Sequence, residues 1–81
     1  MSQKDLSFMD PISTQLLQDI YSSTQTGGFL TMRELEIETA LSEWKLRPFL
    51  EDLKEGRFIH EHPEGFQVAV KGRQFYESRW G

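Results

Sequence analysis

His60 and His62 stand two residues apart beside Glu61 and Glu64, a spacing that puts both imidazoles on one face of a strand. Two such ligands could begin a zinc site. Tetrahedral zinc needs further donors, which no spacing in the chain supplies, so surface histidines and no metal are expected. Serine, histidine and aspartate all occur, but without a nucleophile elbow, Walker loop or paired-carboxylate pattern to make them a catalytic set. Gly27-Gly28 is too short to cradle a phosphate. Neither an enzyme nor a cofactor is expected. Residues 42–55 hold more contact chemistry. Ser42, Lys45 and Arg47 could hydrogen-bond an anion, and Glu43 and Glu51 could accept from amino groups. Trp44 beside Pro48 is the kind of rigid apolar surface that partners grip. Arg57, Lys71 and Arg73 extend the cationic set.

The elements that must carry these residues follow from caps and periodicity. Asp10-Pro11 predicts a helix start, with Asp as N-cap and Pro where its missing N–H costs nothing. Ile12, Leu16, Leu17, Ile20 and Tyr21 then form one apolar stripe, ended by Gly27-Gly28. Phe29-Leu30 has room for only a very short strand. Thr31 and Glu34 fit a capping box opening a second helix to about Thr39, with Leu35 inward. Ser42 reads as the N-cap of a third helix, where Leu46, Phe49, Leu50 and Leu53 fall at core spacing. Its outward face then carries Trp44, Pro48, Glu51 and Glu55, flanked by Lys45, Arg47 and Lys54. Gly56 closes it as a C′ glycine. Pro48 should kink this helix or delay its start to near Arg47. Phe58–His62 and a second run alternating Phe66, Val68 and Val70 predict two strands, joined by a turn at His62-Pro63-Glu64-Gly65. A last helix starts at Gly72, anchored by Phe75, Tyr76 and Trp80. Residues 1–9 read as a flexible arm and 10–81 as one domain.

Eighty-one residues bound the chain to a single thin core, which aromatic residues at 12% help to fill. The absence of cysteine excludes disulfide and thiolate-metal frameworks and suits a cytoplasmic protein. No apolar run is long enough for a membrane span, and Met1–Met9 lacks a secretory layout. The net charge of −4 opposes a generic polyanion binder. The acidity lies in the first half: residues 1–41 hold Lys4 and Arg33 against six carboxylates, whereas residues 56–81 hold four cations against three.

The order of parts resembles the winged helix-turn-helix superfamily of small prokaryotic DNA-binding regulators. The resemblance is carried by Glu34-Leu35, Ala40-Leu41-Ser42, Leu46, Leu50, Leu53, Gly56, Phe58-Ile59 and Val70-Lys71-Gly72 followed by Phe75, and spans residues 10–80. It implies an α+β fold: a three-helix core, an antiparallel wing of two or three strands and a C-terminal helix. It also implies a transcriptional regulator that sets its third helix in the major groove of double-stranded DNA. Lys45 and Arg47 would then reach bases or phosphates, Ser42 a phosphate, and Glu43 or Glu51 a cytosine amino group. Arg57, Lys71 or Arg73 would support the wing. Ile12, Tyr21, Phe75, Tyr76 and Trp80 would form the seam of a homodimer reading paired half-sites. The chain departs from the pattern in the carboxylates of its third helix and of its wing tip, Glu61–Gly65. Carboxylates facing phosphates weaken DNA binding. They support a second reading, a protein-interaction module or adaptor that docks through the acidic face bearing Trp44 and Pro48.

Overall fold

Asp10 opens the folded chain by accepting the N–H of Ser13 on its carboxylate at 2.7 Å, with Pro11 in the first helical position. The computed structural model describes residues 10–80; the arm expected at residues 1–9 lies outside them. Helix α1 (Pro11–Thr24) is followed by α2 (Met32–Thr39), α3 (Glu43–Glu55), strands β1 (Ile59–His62) and β2 (Gly65–Val68), and α4 (Val70–Arg79). The fold is α+β, four helices with a two-stranded antiparallel sheet. No helix among the described residues is long and apolar enough to cross a membrane.

The hairpin pairs Ile59 with Val68 and His62 with Gly65, so Pro63 and Glu64 form the two-residue turn expected there. Gly65 sits at φ 142°, a backbone angle glycine tolerates and other residues rarely adopt. The expected Phe29-Leu30 strand is reduced to one bridge, in which Leu30 and Phe66 exchange both backbone hydrogen bonds. The next amide on that edge of β2, Val68, donates to the Thr24 hydroxyl at 2.9 Å, and that hydroxyl donates in turn to the Ile20 carbonyl. The end of α1 thereby satisfies a strand edge that would otherwise carry an unmade hydrogen bond.

Leu16, Leu17 and Ile20 from α1, Leu35 from α2, and Leu46, Leu50 and Leu53 from α3 surround Phe66 and Ile59 in one cluster. Each fully buried side chain of this kind contributes about 1.5–3 kcal/mol, which is how a thin core holds so short a chain. Phe49, expected inward, is half-buried at the rim of the cluster.

Two boundaries differ from the sequence expectation. Val70 does not extend β2; it begins α4 and is 70% exposed. The Ala69 N–H bonds the Phe58 carbonyl, which closes the ladder and turns the chain into the helix. Gly72 therefore lies inside the first turn of α4, where a Cβ would stand 2.1 Å from the Phe58 carbonyl oxygen. At the end of α3, Gly56 keeps helical angles and Arg57 takes the left-handed conformation at φ 68°. The Phe58 N–H reaches the Leu53 carbonyl and the Arg57 N–H the Lys54 carbonyl, a Schellman closure with arginine in the usual glycine place. Gly56 leaves room for a neighbour instead: a Cβ there would meet the Phe58 ring at 2.7 Å and displace it. The start of α3 falls where Ser42 predicts it, at Glu43 and not near Arg47, and the helix runs through Pro48. Ser42 holds the N-cap position, but its side chain makes no capping bond. The Glu36 carboxylate reaches across from α2 to accept the Glu43 N–H at 2.7 Å.

Candidate interaction surface

The surface of interest is built by α2, its turn and α3. The capping box is complete: the Thr31 N–H donates to Glu34 Oε1 at 2.8 Å, and the Glu34 N–H to the Thr31 hydroxyl at 3.1 Å. This fixes where α2 starts, while Ala40 at φ 61° stops it. The burial of Leu46, Leu50 and Leu53 then sets the rotation of α3 and turns Trp44 outward, 74% exposed. Lys45 is also exposed, its ammonium 5.9 Å from the Trp44 ring centre. Ser42, Glu43, Pro48 and Glu51 are exposed beside them.

Arg47 is the exception on this helix. Its guanidinium lies over Phe66, with 5.8 Å to the ring centre, and is held by three carboxylates. Glu61 of β1 accepts at 2.9 Å, Glu51 at 3.2 Å and Glu43 at 3.4 Å. Lys54 closes the network with bonds to Glu61 at 2.8 Å and Glu51 at 3.2 Å. The Glu61 carboxyl is held below its ordinary range chiefly by Lys54, with Arg47 adding to the effect against the opposing influence of burial. Glu51 is lowered for the same reason, Lys54 first and Arg47 second. Both cations are kept charged above all by Glu61. Three carboxylates against two cations leave the cluster one negative charge in excess.

The remaining cations expected to support nucleic-acid contact are scattered. Arg57 is exposed in the turn after α3, and Lys71 lies over the Phe58 ring at 4.9 Å. Arg73 donates to the Gln25 carbonyl at 2.7 Å and approaches Glu77 at 3.8 Å, tying α4 to the end of α1. His60 is exposed on β1; His62 is half-buried, its ring edge-on to Phe29 with 5.2 Å between centres. Among the described residues no three histidine or carboxylate side chains converge on a metal position.

The apolar set expected to join two copies is largely consumed inside one. Tyr21 and Phe75 are buried, and Ile12 and Tyr76 are half-buried against the core. Tyr21 and Tyr76 stack with 3.9 Å between ring centres, and the Tyr21 hydroxyl donates to Glu77 at 2.8 Å. That bond is the main reason the phenol is harder to ionise than usual. Trp80 packs on Tyr76 and Phe75 yet stays 44% exposed. A helix of 10 residues must dock on α1, and these aromatics do it.

Two features escape sequence reasoning. Ile37 sits on α2 with 71% of its surface open, although its type suggests core. Glu61 reaches back to Arg47 across 14 residues, a contact with no local signature. The spacing of Glu43, Arg47 and Glu51 at successive i,i+4 positions was available as a signal that Arg47 would be neutralised. No protein family, curated protein or solved structure matches the chain.

Proposed function

We propose that the chain is a winged-helix protein-interaction module that docks a protein partner through the α2–α3 corner, with Trp44 as its anchor. The single observation that carries this reading is the capture of Arg47 by Glu43, Glu51 and Glu61. A recognition helix needs free cations to replace the counterions of a nucleic-acid backbone. Here the best-placed guanidinium is already neutralised, and a large indole is offered to solvent in its stead.

DNA binding by a winged-helix regulator is the second reading. It draws support from the helix-turn-helix order followed by a hairpin, and from Lys45, Arg33 and Arg57, which form no ion pair among the described residues. Duplex binding across a salt series separates the two. The interaction reading expects no retention of a random-sequence duplex at low salt, and recovery of a protein partner from the native extract that Trp44→Ala loses and Glu64→Gln keeps. Duplex binding that falls steeply with salt and is lost in Lys45→Ala would overturn it in favour of DNA.

A further inference from the structure

The cations that this fold holds in place are of two kinds. Arg47, Lys54 and Arg73 are held by carboxylates, which offset their charge. Lys71 and Arg79 are held by rings. The Lys71 ammonium lies 4.9 Å from the centre of Phe58, and the Arg79 guanidinium 5.5 Å from that of Phe75. These two rings pack together with 5.6 Å between centres, so both cations belong to one cluster. A ring attracts a cation through its quadrupole and leaves the full charge in place. Among the described residues neither Lys71 nor Arg79 forms an ion pair, and both are exposed. The sequence of α4 sets their spacing. Lys71, Phe75 and Arg79 stand at successive i,i+4 positions, one stripe of the helix, with the two cationic residues about 12 Å apart along its axis. Phe75 is buried and Phe58 half-buried, so the rings support the cations and offer no open face on which a base could stack.

We infer that this stripe of α4 is a docking site separate from Trp44, and that its occupant is an acidic protein segment, an extended chain whose carboxylates meet Lys71 and Arg79. Carboxylates four residues apart on an extended chain lie on one face and about 14 Å from each other, which matches the two cations. Holding the cations on rings beforehand reduces the side-chain entropy lost when an exposed ion pair forms. The net charge of −4 decides against a nucleic acid as the occupant. A continuous polyanion meets the repulsion of the whole molecule, whereas two carboxylates meet the local field alone.

The test uses the full chain, isotope-labelled, and two serine–threonine peptides that carry a pair of glutamates or a pair of lysines four residues apart. Binding at millimolar peptide is read from amide chemical shifts. The expected result is binding of the glutamate peptide alone, with the shifts centred on Lys71, Phe75 and Arg79. It should weaken as salt rises and the Debye length contracts from about 30 Å to about 8 Å. Lys71→Met and Arg79→Met keep an aliphatic stem on each ring and should each weaken binding about two- to fivefold. Lys71→Arg should retain it, and Trp44→Ala should leave it unchanged. The double variant Lys71→Glu/Arg79→Glu should exchange the glutamate peptide for the lysine peptide, a gain that an unfolded variant cannot produce. Absence of binding, shifts centred elsewhere, or binding indifferent to both methionine variants overturns the inference. Loss of the glutamate peptide in Trp44→Ala overturns the separation of the two sites. A random-sequence duplex that displaces the glutamate peptide from the same amides overturns the protein assignment in favour of nucleic acid.

Discussion

Two regions of this small molecule use the same kinds of side chain to opposite ends. Where α4 meets α1, aromatic rings are stacked and enclosed: Tyr21 on Tyr76, Phe75 against Phe58, and an arginine, Arg73, over Tyr21. At the α2–α3 corner an indole and an isoleucine are left in water, and the nearest arginine is turned away into carboxylates. The first region closes the fold with its aromatics, because a short terminal helix has little else with which to dock. The second is already packed through Leu35, Leu46 and Leu50, so Trp44 and Ile37 add nothing to the core. The docking proposed for this corner rests on Trp44, an exposed indole that the core does not use.

That contrast can be broken at its strongest point by Gly72→Ala. The new methyl would press on the backbone oxygen of Phe58, which cannot rotate away. We expect a loss of about 3 kcal/mol in urea unfolding. Trp44→Ala and Ile37→Ala, by comparison, should each stay within about 0.5 kcal/mol of the parent. A corner as sensitive as the α4 junction would mean that Trp44 and Ile37 are structural after all.

A smaller effect sharpens the picture of α3, which is bracketed by two non-glycine residues in left-handed conformation, Ala40 at φ 61° and Arg57 at φ 68°. Each conformation costs a side-chain-bearing residue about 1–2 kcal/mol, partly offset by the greater freedom glycine has when unfolded. Arg57→Gly and Ala40→Gly should therefore each raise stability by about 0.5–1 kcal/mol, measured as a shift of the urea midpoint. Unchanged or lowered stability would show that the arginine side chain or the alanine methyl contributes contacts that outweigh the backbone.

The smallest effects are those of charge, because the ion pairs are exposed and water screens them. Glu61 has a folded-state carboxyl lowered by Lys54 and Arg47. Its contribution is present above the ordinary carboxylate range and is lost as pH falls through the lowered value. Glu61→Gln should accordingly shed part of the acid dependence of the thermal midpoint. Glu38 behaves in the opposite sense: burial first, then the charges of Asp19 and Glu34, raise its carboxyl. One Asp19 oxygen is buried without a hydrogen-bond partner, and a protonated Glu38 relieves the repulsion beside it. Stability from that proton is present below the ordinary range and is lost as pH rises through the raised value. Glu38→Gln should gain on the parent across that rise; a constant difference at all pH values would dismiss the pairing.

Much of the frame is legible in the sequence because it rests on contacts between near neighbours. Asp10-Pro11, the Thr31–Glu34 box, the leucine spacing of α3 and the Pro63-Glu64 turn all act within four residues, and each stands where its pattern puts it. What the pattern missed depends on parts brought together from afar. The start of α4 is set by the Phe58 carbonyl, the true role of Gly56 by the Phe58 ring, and the neutralisation of Arg47 is completed by Glu61 on the neighbouring strand. The candidate surface was half legible. Periodicity turned Trp44 outward correctly, but Ile37 could be recognised as exposed only once Leu35 had filled the place facing the core.

Thr24 links the two halves of the chain in a way that bears on how the molecule assembles. Its hydroxyl bridges the Ile20 carbonyl and the Val68 amide, partners separated by 44 residues in the second case. A lone two-stranded hairpin is marginal in water, and this one borrows the edge partners it lacks from the close of α1 and from Leu30. Neither the hairpin nor the first helix can be lost without stripping hydrogen bonds from the other. Their melting is thereby fused into one cooperative event, and an excised hairpin peptide would not hold its shape.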